Sequence, residues 1–509
     1  VSAAKKTDAK QSWDLTGSWA GAWKIFAGIG ALGLAGAAAG FAMDPRRFAF
    51  SWLFAFMTCL AIALGATFFV LIQHLTSAGW SVTVRRTAEF FSNGLLVMAP
   101  LFIPVLLTMG HLFPWLSHEG HGGGASTPGA IGAISLVKEA HAQDRANIPP
   151  SGHGSNDGQI DRGADPKSGQ GAAEGRPSDT PGNPAGEQPG MDHNGIVPGH
   201  GAAVGHGGSA APAHGGAEHA LHEAHGQIHH ATMGAKSGWL NKGFFLARVG
   251  IYFVIWALLA IRLFGFSTAQ DSSKDPKLTL RAAKFAPGAT MLFALSLTFA
   301  AFDWIMSLEP SWFSTIFGVY YFASGVVSSL ATIILVTMAL RTSGPLSGAV
   351  TVEHYHDLGK LMFGFLVFWA YIGFSQFMLI WYAALPEETT FFHNRWDFGP
   401  WSKVSLALII GHFVIPFFWT ISRNFKRNLG RLQIGAAMVF VMHIVDVYWL
   451  VMPNYALGKD TFSFHWMDAA CLLAVAGIYV AFVFFRMTKF PLVPIGDPRL
   501  QRSLHFQNA

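Results

Sequence analysis

His443 and Asp446 stand three residues apart in a stretch, 430–451, that is otherwise almost wholly apolar. On a helix this spacing puts an imidazole and a carboxylate on one face, a turn apart, where they can share or pass a proton. Other ionisable residues interrupt comparable stretches: Asp303, with Glu309 just beyond it; His412, in the middle of its run; and Asp468, at the start of the last one. A further group, His354, His356, Asp357 and Lys360, opens another run, followed by Tyr371, Ser375 and Gln376. Ionisable groups at such positions are costly to desolvate, which makes each a functional candidate. They fall into an entry cluster (His356, Asp357), a thin middle (Tyr371, Ser375, Gln376, His412) and an exit cluster (Asp303, His443, Asp446, Asp468). Carboxylates and imidazoles in that order supply what proton transfer needs, since each both accepts and donates. For any one of them a structural role stays open, because buried polar side chains also pin helices together through hydrogen bonds.

The elements that must carry these residues follow from composition. The chain has 509 residues, 51% hydrophobic and only 12% charged, with 44 Phe, 17 Trp and 16 Met. Soluble domains average about 25% charged residues, so this chain cannot clothe several soluble domains in a charged shell. A bilayer core of about 30 Å takes roughly 20 apolar residues of helix. Ten stretches qualify: 23–42, 48–73, 88–116, 243–265, 287–307, 313–340, 359–384, 400–421, 430–451 and 466–486. They are too long and uniform for barrel strands. The predicted fold class is therefore all-α, a polytopic membrane protein of about ten transmembrane helices. Arg85, Arg86 and Glu89 at the head of the third stretch place its first turns in the interface.

Orientation follows from Lys and Arg at alternate ends of the stretches. One set of ends holds 21, and the opposite set, leaving out residues 118–238, holds seven. This asymmetry predicts both termini in the cytoplasm and residues 118–238 in the periplasm of a bacterial inner membrane. The first apolar run is long enough to span, which argues against a cleavable signal peptide. The chain thus divides into 1–117, with the first three helices; 118–238; and 239–509, with seven helices and a cytoplasmic tail.

Residues 118–238 carry six Lys/Arg against twelve Asp/Glu and hold 13 of the 22 histidines. Rich in Gly, Ala, Pro and His, this insert lacks the apolar content to offset chain entropy, and a flexible segment is expected. His222, His225 and His229 would share a face of a short helix, a weak candidate site for zinc, copper or nickel. Only two cysteines occur, Cys59 and Cys471. They exclude a four-cysteine cluster site, a CxxC pair and a CxxCH haem attachment, so no redox cofactor is expected in this chain.

Four segments resemble a known family in one order: FDWIMSLEPSWFSTIFGVYYFAS (302–324), HDLGKLMFGFLVFWAYIGFSQFMLIWYAALPEE (356–388), SRNFKR (422–427) and HIVDVYWLVMP (443–453). They look like the F-type integral membrane subunit of alternative complex III, a distant relative of the NrfD and polysulfide reductase membrane anchors. The resemblance covers about residues 287–455, and the Gly/His-rich insert departs from the family pattern. It implies two four-helix bundles between two flanking helices, in a complex that oxidises quinol or menaquinol. The implied partners are a multihaem cytochrome c subunit and an iron–sulfur subunit, which carry the haem c and the clusters, a second NrfD-like membrane subunit, and small membrane subunits. This chain would then be a cofactor-free scaffold and proton conduit. Asp303, His443 and Asp446 would serve its outer half and His356 and Asp357 its inner mouth, with quinone-binding residues unassigned. Two other readings remain open on the residues alone: a proton-coupled secondary transporter, and a haem-bearing cytochrome using His412 and His443.

Overall fold

The computed structural model describes residues 13–117, 232–342, 344–397, 399–455 and 464–508. The chain divides into one unit, residues 1–127 with 229–509, and a second, 128–228, which lies outside the described residues. Every regular element in the described residues is helical, and ten segments are long and apolar enough to cross a membrane. They are α1 (Gly17–Met43), α2 (Pro45–Leu75), α3 (Val82–Leu107), α4 (Lys242–Ser273), α5 (Pro276–Leu308), α6 (Phe317–Thr342), α7 (Val352–Ala383), α8 (Trp401–Ile421), α9 (Leu429–Asn454) and α10 (Trp466–Met487). Each overlaps one of the ten apolar stretches, though α3 ends nine residues before the stretch 88–116 does.

Several helices begin where the sequence supplies a cap. Asp44 and Asp275 precede a proline at the first helical position and accept from the main chain of Arg47 and Lys277, while Asn241 accepts from Phe244. Such caps satisfy N–H groups that a helix start leaves without partners. Two spans are irregular for a reason visible in their prolines. Pro100 and Pro104 lack an N–H, and α3 is broken into shorter helical pieces at Gly94 and Phe102. In α8, Pro416 cannot donate to the His412 carbonyl four residues earlier, and Leu408–Val414 widens into π-helical turns.

α2 is the central helix, buried along nearly its whole length. It packs against α3, α5, α6, α9 and α10, while α1 lies along α10 and α7 lies against α6. The contact between α2 and α6 is made by two glycines. A Cβ on Gly65 would fall 2.1 Å from the Gly325 carbonyl oxygen. Any side chain there would separate the helices, so this pair sets how closely α2 meets α6.

The first turns of α3 are packed inside the protein. Arg85, Arg86 and Glu89 are buried in an ion-pair network. Arg85 reaches Glu89 and Asp497, each at 2.8 Å, and Arg86 reaches Glu89 at 3.0 Å and Asp271 at 2.9 Å. The charges are affordable inside because acids from α4 and from the C-terminal segment neutralise them. Burial alone would raise the Asp497 carboxyl, but hydrogen bonds and charge from Arg499, with Arg85 beside it, hold it well below the usual carboxylate range. Lys236, near the end of the insert, also docks: its ammonium donates to the Pro310 and Trp312 carbonyls, and burial pushes it down to about 8.

Candidate functional site

The helix-sharing pair His443 and Asp446 is fully buried on α9 and faces α6, α2 and α7. Asp446 accepts three hydrogen bonds: Tyr320 Oη to Oδ1 at 2.5 Å, Ser324 Oγ to Oδ2 at 2.7 Å and Trp369 Nε1 to Oδ2 at 3.2 Å. His443 Nδ1 lies 2.9 Å from the same Ser324 Oγ, and its Nε2 lies 3.3 Å from the Thr58 carbonyl oxygen of α2. Tyr320 and Ser324 are four residues apart on α6 and therefore present on one face. Trp369 comes from the middle of α7, and its ring lies 4.1 Å, centroid to centroid, from that of His412. His412 is buried on the widened part of α8, and neither of its nitrogens has a partner among the described residues.

The hydrogens in this cluster can be counted. A carbonyl only accepts, so His443 Nε2 carries the hydrogen towards Thr58. In neutral His443, Nδ1 is then an acceptor, as is ionised Asp446. Ser324 has one hydroxyl hydrogen for the two of them, so one contact would set lone pair against lone pair. A single added proton removes the conflict. Placed on Asp446, it is donated to Ser324, which donates to His443. Placed on His443, it is donated to Ser324, which donates to Asp446. The two forms differ only in which hydrogens sit on the Ser324 hydroxyl and its two neighbours.

The remaining candidates sit apart. Asp303 on α5 is buried and clamped: Arg248 binds it through Nε and Nη2 at 2.8 and 2.9 Å, Tyr252 Oη donates at 2.7 Å and Trp239 Nε1 at 2.9 Å. Asp468, in the first turn of α10, accepts from the His465 main chain and pairs with Arg47 at 2.5 Å, with Ser51 and Tyr448 also donating. His356 and Asp357 lie near the start of α7 beside Asn508 of the C-terminal tail, and Lys360 pairs with Asp357 at 2.5 Å. Tyr371 is 63% exposed on the outer face of α7 and joins none of these groups. His222, His225 and His229 lie outside the described residues. Among the described residues, no three His, Cys, Asp or Glu side chains are grouped to hold a metal.

No family model matches this sequence, and neither does any curated protein. The chain is a polytopic helical membrane protein. Its buried polar groups include several that the pattern of the sequence did not single out: Tyr320, Ser324, Trp369, Arg248 and Arg395. The i, i+4 spacing of Tyr320, Ser324 and Ser328 was the one local signal for the first two. Arg395, from the connecting helix Pro386–Trp396, is buried and donates to the carbonyls of Trp449 and Leu450 at the end of α9. With both His443 nitrogens engaged, an axial role for it at a haem would require breaking one of those contacts.

Proposed function

We propose that this protein is a cofactor-free membrane subunit of a quinol-oxidising electron-transfer complex of the alternative complex III type, acting as scaffold and proton conduit. The observation that carries the reading is the Asp446–Ser324–His443 chain, a buried relay with room for one mobile proton. The segments that resemble the F-type subunit supply Tyr320, Ser324, Trp369, His443 and Asp446, every member of the cluster except Thr58.

In this reading Asp446 and His443 carry the proton. His412, whose ring lies against that of Trp369, is the next station towards His356 and Asp357, which form the cytoplasmic mouth. Asp303 and Asp468, held by arginines, act as fixed anions that set the geometry of the periplasmic side. Quinol, the multihaem cytochrome c subunit, the iron–sulfur subunit and the second NrfD-like subunit supply the electron chemistry. The two-bundle arrangement, the bacterial inner membrane and the periplasmic side of residues 118–238 belong to the same proposal, resting on the resemblance and the Lys/Arg asymmetry.

The test is affinity purification of the tagged chain from its native membrane in mild detergent. Co-purification of c-type haem and iron–sulfur absorbance, both lost when the chain is stripped from its partners, is expected. A Soret band that stays with the isolated chain would contradict the assignment and favour the cytochrome reading.

A further inference from the structure

The turn that joins α2 to α3 and the C-terminal residues around the short helix Leu500–Leu504 line an open cavity of about 600 Å³. Its polar lining comes from Thr76, Ser77, Trp80, Arg502, His505 and Gln507, with the Gly79 main chain beside them and no acid among the lining residues. It lies at the far end of α2 from the proton cluster: Thr58 and Thr76 are 18 positions apart, about 27 Å along a helix. It is thus a separate feature of the molecule.

Arg502 is the charged group of this cavity, and among the described residues its guanidinium has no carboxylate partner. Its position depends on the turn. A Cβ on Gly79 would come within 2.9 Å of Arg502 Cδ, so the missing side chain is what lets the arginine lie across the loop. The main-chain N–H groups of Gly79 and Trp80, and the Trp80 indole N–H, have no acceptor among the described residues. His505 donates from Nδ1 to the Gln501 carbonyl, which leaves Nε2 as the ring's remaining polar atom. A guanidinium and consecutive main-chain N–H groups around an acid-free space form a site for a multi-oxygen anion.

The position in the chain says which anion. The turn stands where α2 leaves the apolar layer, and Leu75, immediately before Thr76, is 47% exposed. Trp80 and Phe506, whose rings lie 6.2 Å apart, border the same space. A polar cavity with an apolar rim and aromatic edge matches a headgroup with its acyl chains running along the helix end. We propose that this cavity binds the phosphodiester group of an anionic phospholipid, with Arg502 as its principal counter-charge.

The test uses the purified full chain in detergent, with lipid retention read by native mass spectrometry after addition of phosphatidylglycerol or phosphatidylcholine. The wild type is expected to retain phosphatidylglycerol in preference. Arg502→Gln should weaken that retention about tenfold, the effect of losing one charge-assisted contact. Gly79→Ala should weaken it by displacing the arginine, and Arg281→Gln, an exposed base on α5, should leave it unchanged. Arg502 is itself exposed, so its substitution carries the test even if Gly79→Ala fails to fold. Equal retention by wild type and Arg502→Gln would overturn the proposal, as would an equal loss in Arg281→Gln. Inorganic phosphate that binds as tightly as the lipid, and displaces it, would also overturn it by making the ligand a free phosphate.

Discussion

Trp369 is shared between Asp446 and His412: its indole N–H donates to the carboxylate at 3.2 Å, and its ring lies 4.1 Å from the imidazole. The two parts of the side chain can be separated by substitution. Trp369→Phe keeps an aromatic face for His412 but removes the donor, whereas Trp369→Leu removes both. Proton release in proteoliposomes, followed with a pH-sensitive dye during turnover of the complex, should fall in the first variant and further in the second. Unchanged release in both would detach this indole from proton transfer.

The Arg248–Asp303 pair should behave as a structural clamp. Asp303→Leu leaves a buried guanidinium without its carboxylate, and a loss of about 3–5 kcal/mol is expected from breaking such a pair. Replacing both residues by leucine should recover part of it, because neither charge is then left alone. Thermal unfolding in detergent measures this directly. A double variant no more stable than the single one would mean the pair's value lies in its hydrogen bonds to Trp239 and Tyr252 rather than in charge compensation.

Asp497 predicts an acid limit. Its folded carboxyl is held below the usual range, mainly by Arg499 and Arg85 acting against burial. A depressed carboxylate adds stability that is complete above the unfolded value of about 3.9 and is lost as pH falls towards the folded value. The unfolding temperature should therefore drop as pH falls below about 4, and Asp497→Asn should flatten that part of the profile while lowering stability at neutral pH. A profile of unaltered shape in the variant would assign acid sensitivity to other groups.

Tyr371 supplies a control from inside the same helix. It lies on the exposed face of α7, away from Trp369, so Tyr371→Leu should change neither unfolding temperature nor proton release. A clear loss of proton release in that variant would mean that the path runs along the outside of α7.

The ten helices were legible in the sequence because the bilayer sets their length and composition, and the His443–Asp446 pair was legible because its two members share one helix. Their partners were not. Ser324 lies 119 positions before His443 and meets it only through the packing of α6 on α9, which local sequence does not show. Arg85, Arg86 and Glu89 were legible as charges at the head of α3, but the distant acids that pair with the two arginines were not. Those partners, Asp271 and Asp497, lie about 180 and 410 positions away. Tyr371 was grouped with the interior by type, though its direction depends on which face of α7 is turned inward. The histidines His222, His225 and His229 lie outside the described residues.

The proton-sharing chain is tested most directly by Asp446→Asn in the assembled complex reconstituted in proteoliposomes, with quinol oxidation and proton release recorded together. Asparagine keeps the shape and can still bond to Tyr320 and Ser324, but it cannot give up a proton. Electron transfer is expected to continue close to the wild-type rate while proton release per quinol oxidised declines. Wild-type release with normal electron transfer would contradict the proton role and leave Asp446 as a structural acid between α6, α7 and α9.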